Sequence, residues 1–122
     1  MTTIDLTENI YFASTDVIFI EKDLNNNILF KLILTDADFE AVIDWIPFNE
    51  TSNIDSLVYK YNTDYVYAQE NFTQIIRLQE FFDRLVAITN LVNIDFLPYL
   101  NALKEICNSV LQHGNRLFIK IE

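Results

Sequence analysis

With 122 residues, 18 of them acidic and 8 basic, the chain carries a formal charge of −10 at pH 7. That balance argues against nucleic acid and membrane as direct ligands, because nucleic acid and anionic lipid are both held by a basic footprint. A hydrophobic content of 51% suffices for one ordered domain spanning 1–122, burying roughly two thirds of the unfolded surface, rather than a disordered acidic tail.

The first eight residues have neither the basic nor the apolar stretch of a secretion signal, and a cytoplasmic location is the expectation. Ile10–Ala13 and Val17–Glu21 are β-branched and aromatic around Ser14-Thr15-Asp16, which predicts two strands. Asp23 to Asn27 reads as a polar turn, since Asn and Asp tolerate left-handed backbone. Ile28–Leu34 is nearly all apolar, as in a central strand. Thr35 or Asp36 is placed to cap a helix with Phe39, Val42, Ile43 and Ile46 on its buried face and Pro47 at its end.

Leu57–Tyr61 and Tyr65–Ala68 flank Asn62-Thr63-Asp64 and predict a hairpin. After Asn71, the residues Phe72, Ile75, Ile76, Phe82, Leu85 and Val86 form the stripe of one long amphipathic segment, with Glu80 and Arg84 paired on its wet side. A further helix is expected with Asp95 as cap, Pro98 in its first turn and Leu97, Leu100, Leu103, Cys107, Val110 and Leu111 buried. Gly114, the only glycine, suits a left-handed helix end, and Leu117, Ile119 and Ile121 alternate into a final strand. The fold class is α+β: a mostly antiparallel sheet packed with a C-terminal helical hairpin and one short acidic helix.

The charge is distributed unevenly. Residues 1–70, the strand-rich part, hold 13 acids and three bases, whereas residues 71–122, helical and ending in a strand, hold five of each. Between Lys31 and Lys60 stand Asp36, Asp38, Glu40, Asp44, Glu50 and Asp55 without a single base. Spaced four apart, Asp36, Glu40 and Asp44 form a row on one helix face, where like charges repel. A helix shaped for stability alone would carry Lys or Arg at the Asp44 end. A solvated face is the ordinary fate of such a row; depletion of bases across the whole stretch favours a binding surface.

Trp45, beside the row, is a candidate aromatic anchor or a partly buried core residue. Tyr59, Tyr61, Tyr65 and Tyr67 share a face if the hairpin loop has three residues, and separate if it has two. The partner-binding residues expected are therefore Asp36, Glu40, Asp44, Trp45, Glu50, Asp55, Tyr59, Tyr61, Tyr65 and Tyr67.

Catalytic signals are thin. Cys107 and His113 stand six apart and do not share a helix face, and no EF-hand, nuclease or His-x-x-x-His spacing occurs. No catalytic residue, metal site or cofactor is expected, and the chain is not expected to be an enzyme. The class that fits is an acidic inhibitor or immunity protein that neutralises a basic nuclease toxin by covering its substrate groove, acting as a monomer in the complex or a weak homo-oligomer. The alternatives are a DNA-mimic regulator of a nucleic-acid-binding protein and a small carboxylate-dependent enzyme.

Overall fold

A computed structural model describes residues 1–7, 15–47, 56–58, 61 and 71–122. Its order is β1 (Thr2–Asp5), β2 (Asp16–Lys22), β3 (Ile28–Thr35), α1 (Asp36–Ile43), β4 (Thr73–Gln74), α2 (Leu78–Ala87), a 3-10 turn (Ile94–Phe96), α3 (Leu97–His113) and β5 (Arg116–Ile121). The five strands form one sheet in the order β1-β3-β2-β5-β4. Among the described residues only the β1–β3 pair is parallel, so the α+β class with a mostly antiparallel sheet holds.

Alternation along the strands decides where the core lies. Val17 and Phe19 of β2, Phe30, Leu32 and Leu34 of β3, and Leu117 and Ile119 of β5 face the helices. They pack with Phe39 of α1, Phe81 and Leu85 of α2, and Leu100, Leu103, Ile106 and Cys107 of α3. The opposite face carries Ile18, Ile20 and Lys22, Lys31, and Arg116, Phe118 and Lys120, by the same alternation. Fully burying a side chain such as Leu103 contributes about 2 kcal/mol, so this cluster is what holds α2 and α3 on the sheet and against each other.

Side chains set the turns. Asp23 Oδ1 accepts from the amides of Asn25 (2.8 Å) and Asn27 (2.9 Å). Asn26 takes the left-handed conformation at φ 65°, which a short polar side chain tolerates. Thr35 caps α1, its Oγ1 accepting from the Asp38 amide at 3.1 Å. Gly114 closes α3 at φ 64°, donating its N–H to the Val110 carbonyl.

Several expectations are corrected. Strand β1 was not foreseen; Thr2 and Thr3 are polar and exposed, so no alternation marks them. Ile10–Ala13 lies outside the described residues, as does most of the expected hairpin. Leu57, Val58 and Tyr61, which are described, have helical rather than extended backbone. After Asn71 the chain first adds β4 beside β5, and the helix begins only at Leu78. Counted from there, Phe81, Leu85 and Ile88 are buried and Leu78 and Phe82 pack partly buried beside them, leaving Ile76 and Val86 exposed. Asn93, not Asp95, makes the side-chain cap: its Oδ1 accepts from the Asp95 amide at 2.9 Å and starts the 3-10 turn ahead of α3. On α3 Ile106 is fully buried whereas Leu111 is exposed.

Candidate interaction surface around the acidic helix

Helix α1 is fixed to the sheet by Phe39. Its ring meets Phe19 edge-on at 5.6 Å and Tyr61 at 5.1 Å. With Phe39, Val42, Ile43 and Ile46 buried, the rest of the helix faces outward. The row expected there is present: Asp36 is half-buried, and Glu40 and Asp44 are exposed. The last turn contains no basic residue, and Asp44 itself is the C-cap.

Tyr61 braces this row. Its hydroxyl donates to Glu40 Oε1 at 3.0 Å, which holds the carboxylate in one orientation. Burial, then the bond to Glu40 and the charges of Glu40, Asp36 and Asp44, push the Tyr61 phenol upward, so it stays a neutral donor. On the other flank of α1, Tyr99 of α3 plays a related part. Burial and then the neighbouring Asp38 carboxylate hold the Tyr99 phenol above its ordinary value. Trp45, in the turn just past the end of α1, is 46% exposed. The 3-10 turn contacts α1 and presents Ile94, which is 77% exposed.

The acidic surface does not end at α1. The amide of Asp36 donates to the Thr15 carbonyl, and Asp16 and Glu122 exchange backbone hydrogen bonds at 2.7 and 3.0 Å. The Asp16 carboxyl is raised by burial, followed by the charges of Asp5, Glu122 and Asp36. Strand pairing and these backbone bonds thus set Asp5, Asp16, Asp36 and Glu122 at one end of the sheet, beside the Asp36-Glu40-Asp44 row. Lys120 offsets part of this charge, its Nζ lying 3.1 Å from Glu122 Oε2.

Of the ten residues expected to bind a partner, the structure brings Asp36, Glu40, Asp44 and Tyr61 together and leaves Trp45 exposed just past the helix end. Glu50, Asp55, Tyr59, Tyr65 and Tyr67 lie outside the described residues. Sequence reasoning missed Asp5, Asp16 and Glu122, which are remote from one another along the chain, and Tyr99 and Ile94, which read as parts of a helix and a connection. Glu80, expected to pair with Arg84, accepts from Arg77 Nη2 at 2.8 Å.

Cys107 is enclosed in the core, where burial pushes its thiol up. His113 is exposed at the end of α3, and its Nδ1 lies 2.7 Å from the Ser109 carbonyl, as an N–H donor would. Among the described residues no three His, Cys, Asp or Glu side chains converge as a metal site requires, and no helix is long and apolar enough to cross a membrane. Comparison of the chain with protein-family models, with curated proteins and with solved structures found no match.

Proposed function

We propose that this protein is an acidic binding domain that covers a basic partner, and that the partner class is a nuclease toxin whose substrate groove the acidic surface occupies. The observation that carries the reading is that strand pairing gathers Asp5, Asp16, Asp36 and Glu122 at one end of the sheet, beside the Asp36-Glu40-Asp44 row. Like charges gathered this way cost stability in the free protein. A basic partner turns that cost into attraction, accelerates encounter and takes the places that substrate phosphates would fill.

The position of the raised carboxyl bears on the enzyme alternative. A general acid is expected in a recess with its carboxyl held up. Asp16 instead stands at the strand ends among other carboxylates. This favours a surface that binds over one that turns over substrate.

The test is affinity capture from the source cell at low and moderate salt, comparing the native chain with an Asp36→Asn, Glu40→Gln, Asp44→Asn variant. The expected result is a basic protein retained by the native chain, released by salt and lost from the variant. Its nuclease activity should fall to zero at one equivalent of the native chain. Equal retention by both chains rejects the acidic surface, and undiminished nuclease activity rejects inhibition.

A further inference from the structure

At the other end of the sheet two cations stand on one face, flanked in sequence by the carboxylates of Glu21 and Asp23. Lys22 ends β2 and Arg116 begins β5, and the two are register partners on the face away from the helices. Like charges directly opposite on antiparallel strands repel. Both heads nonetheless lean on one ring, Lys22 Nζ lying 5.0 Å and the Arg116 guanidinium 5.4 Å from the centroid of Phe118. Among the described residues neither has a carboxylate in ion-pair contact.

The guanidinium is held from one side only. Arg116 Nη2 donates to the Asp23 carbonyl at 2.9 Å and to Asn26 Oδ1 at 2.6 Å. Among the described residues Nε has no acceptor, and it is enclosed beyond the reach of one from solution, which leaves Nη1 as the open donor of the guanidinium. A desolvated donor in the state of Nε is costly. The Asp23 carboxylate is the nearest candidate acceptor, but its oxygens are taken by the amides of Asn25 and Asn27 and the Asn27 side chain.

The overall charge of −10 does not decide against an anion here. Strand β2 has seven residues between its acidic and basic ends, about 20 Å at the usual rise. That is more than twice the screening length of about 8 Å at physiological salt. Glu21, the adjacent residue, points to the helix side and is enclosed there by Ser109 and Asn115.

We infer that Lys22 and Arg116 form an anion site for a phosphoryl group, with Lys22 Nζ and Arg116 Nη1 as donors and the Asp23–Asn27 turn as its wall. A tetrahedral dianion is the ligand because two adjacent cations and several N–H donors match its charge and its oxygens.

The test is a titration of the 15N-labelled protein at pH 7.5 with inorganic phosphate, with glycerol phosphate and with chloride at matched ionic strength. The expected result is saturable amide shifts confined to residues 22–27 and 116–118 with both phosphates and not with chloride. Lys22→Gln should weaken binding by about tenfold, the loss of one charge-assisted contact, in a protein whose other amide signals stay in place. Lys22→Arg should restore it. Equal shifts with chloride, shifts centred elsewhere, or an unchanged affinity in Lys22→Gln would overturn the site.

Discussion

Replacing Asp44 by Lys separates stability from function at the acidic helix. Asp44 is the exposed C-cap of α1, one turn after Glu40, and the last turn has no base. Removing the Glu40–Asp44 repulsion is worth about 0.2–0.5 kcal/mol, and an opposite-charge pair in the favourable order adds a similar amount. Reversing the charge at the helix C-terminus adds about 0.3–1 kcal/mol before screening. Because the side chain is exposed, the sum is discounted to about 1 kcal/mol. For a chain of 122 residues that raises the unfolding temperature by about 3–5 °C. Urea unfolding at low salt should show a higher midpoint with an unchanged slope, and the gain should shrink in concentrated salt. Partner affinity should fall at the same time. A variant that is less stable, or a gain indifferent to salt, would refute the electrostatic reasoning.

Two other perturbations test the supports of the fold and of the acidic surface. Glu21 is fully buried, accepting from Ser109 Oγ at 2.6 Å and Asn115 Nδ2 at 2.7 Å, and so ties β2 to the end of α3 and the start of β5. Glu21→Ala removes two charge-assisted bonds, partly replaced by water at the half-exposed donors, and should cost about 2–3 kcal/mol in urea unfolding; a loss below about 1 kcal/mol would show that the contact is not structural. Asp16 is held above the ordinary carboxylate value. Its charged form is therefore disfavoured in the fold, a penalty present above the folded pKa and gone below the unfolded one. Asp16→Asn should raise stability at neutral pH, with the gain vanishing as pH falls through the carboxylate range; a gain that persists in acid would assign it to packing instead.

Where local rules act alone, the sequence predicted the structure closely. Thr35 caps, Asp23 and Asn26 turn, Gly114 ends a helix, and β2, β3 and β5 read from their apolar pattern, because each depends on neighbours within a few residues. The failures have a common cause. Thr2–Asp5 becomes a strand only because β3 is beside it, and Thr73–Gln74 only because β5 is. That second pairing delays the helix to Leu78 and turns Ile76 and Val86 outward, so periodicity counted from Phe72 ran in the wrong frame. Within the candidate surface, the Asp36-Glu40-Asp44 row was legible from its spacing. Tyr61, selected as one ring of a hairpin, does reach the row, but from helical backbone.

The remaining carboxylates were invisible for a topological reason. Strands β1, β3 and β5 run in one direction and β2 in the other. The ends of β1 and β5, the start of β2 and the junction of β3 with α1 must therefore share one edge of the molecule, which brings Asp5, Glu122, Asp16 and Asp36 there. Glu122 comes from the half of the chain whose charges balance, so dividing the sequence at residue 70 assigned it to scaffold. The same strand directions carry Lys22 and Arg116 to the opposite edge. An even mixture of charge would have made the protein soluble without repulsion between carboxylates. Segregation keeps that repulsion, screened from the cations about 20 Å away along β2. The two proposals assign a use to each end: a basic surface for the α1 edge and a phosphoryl anion for the other. Neutralising one end should accordingly leave binding at the other unchanged, whereas a general field effect would shift both together.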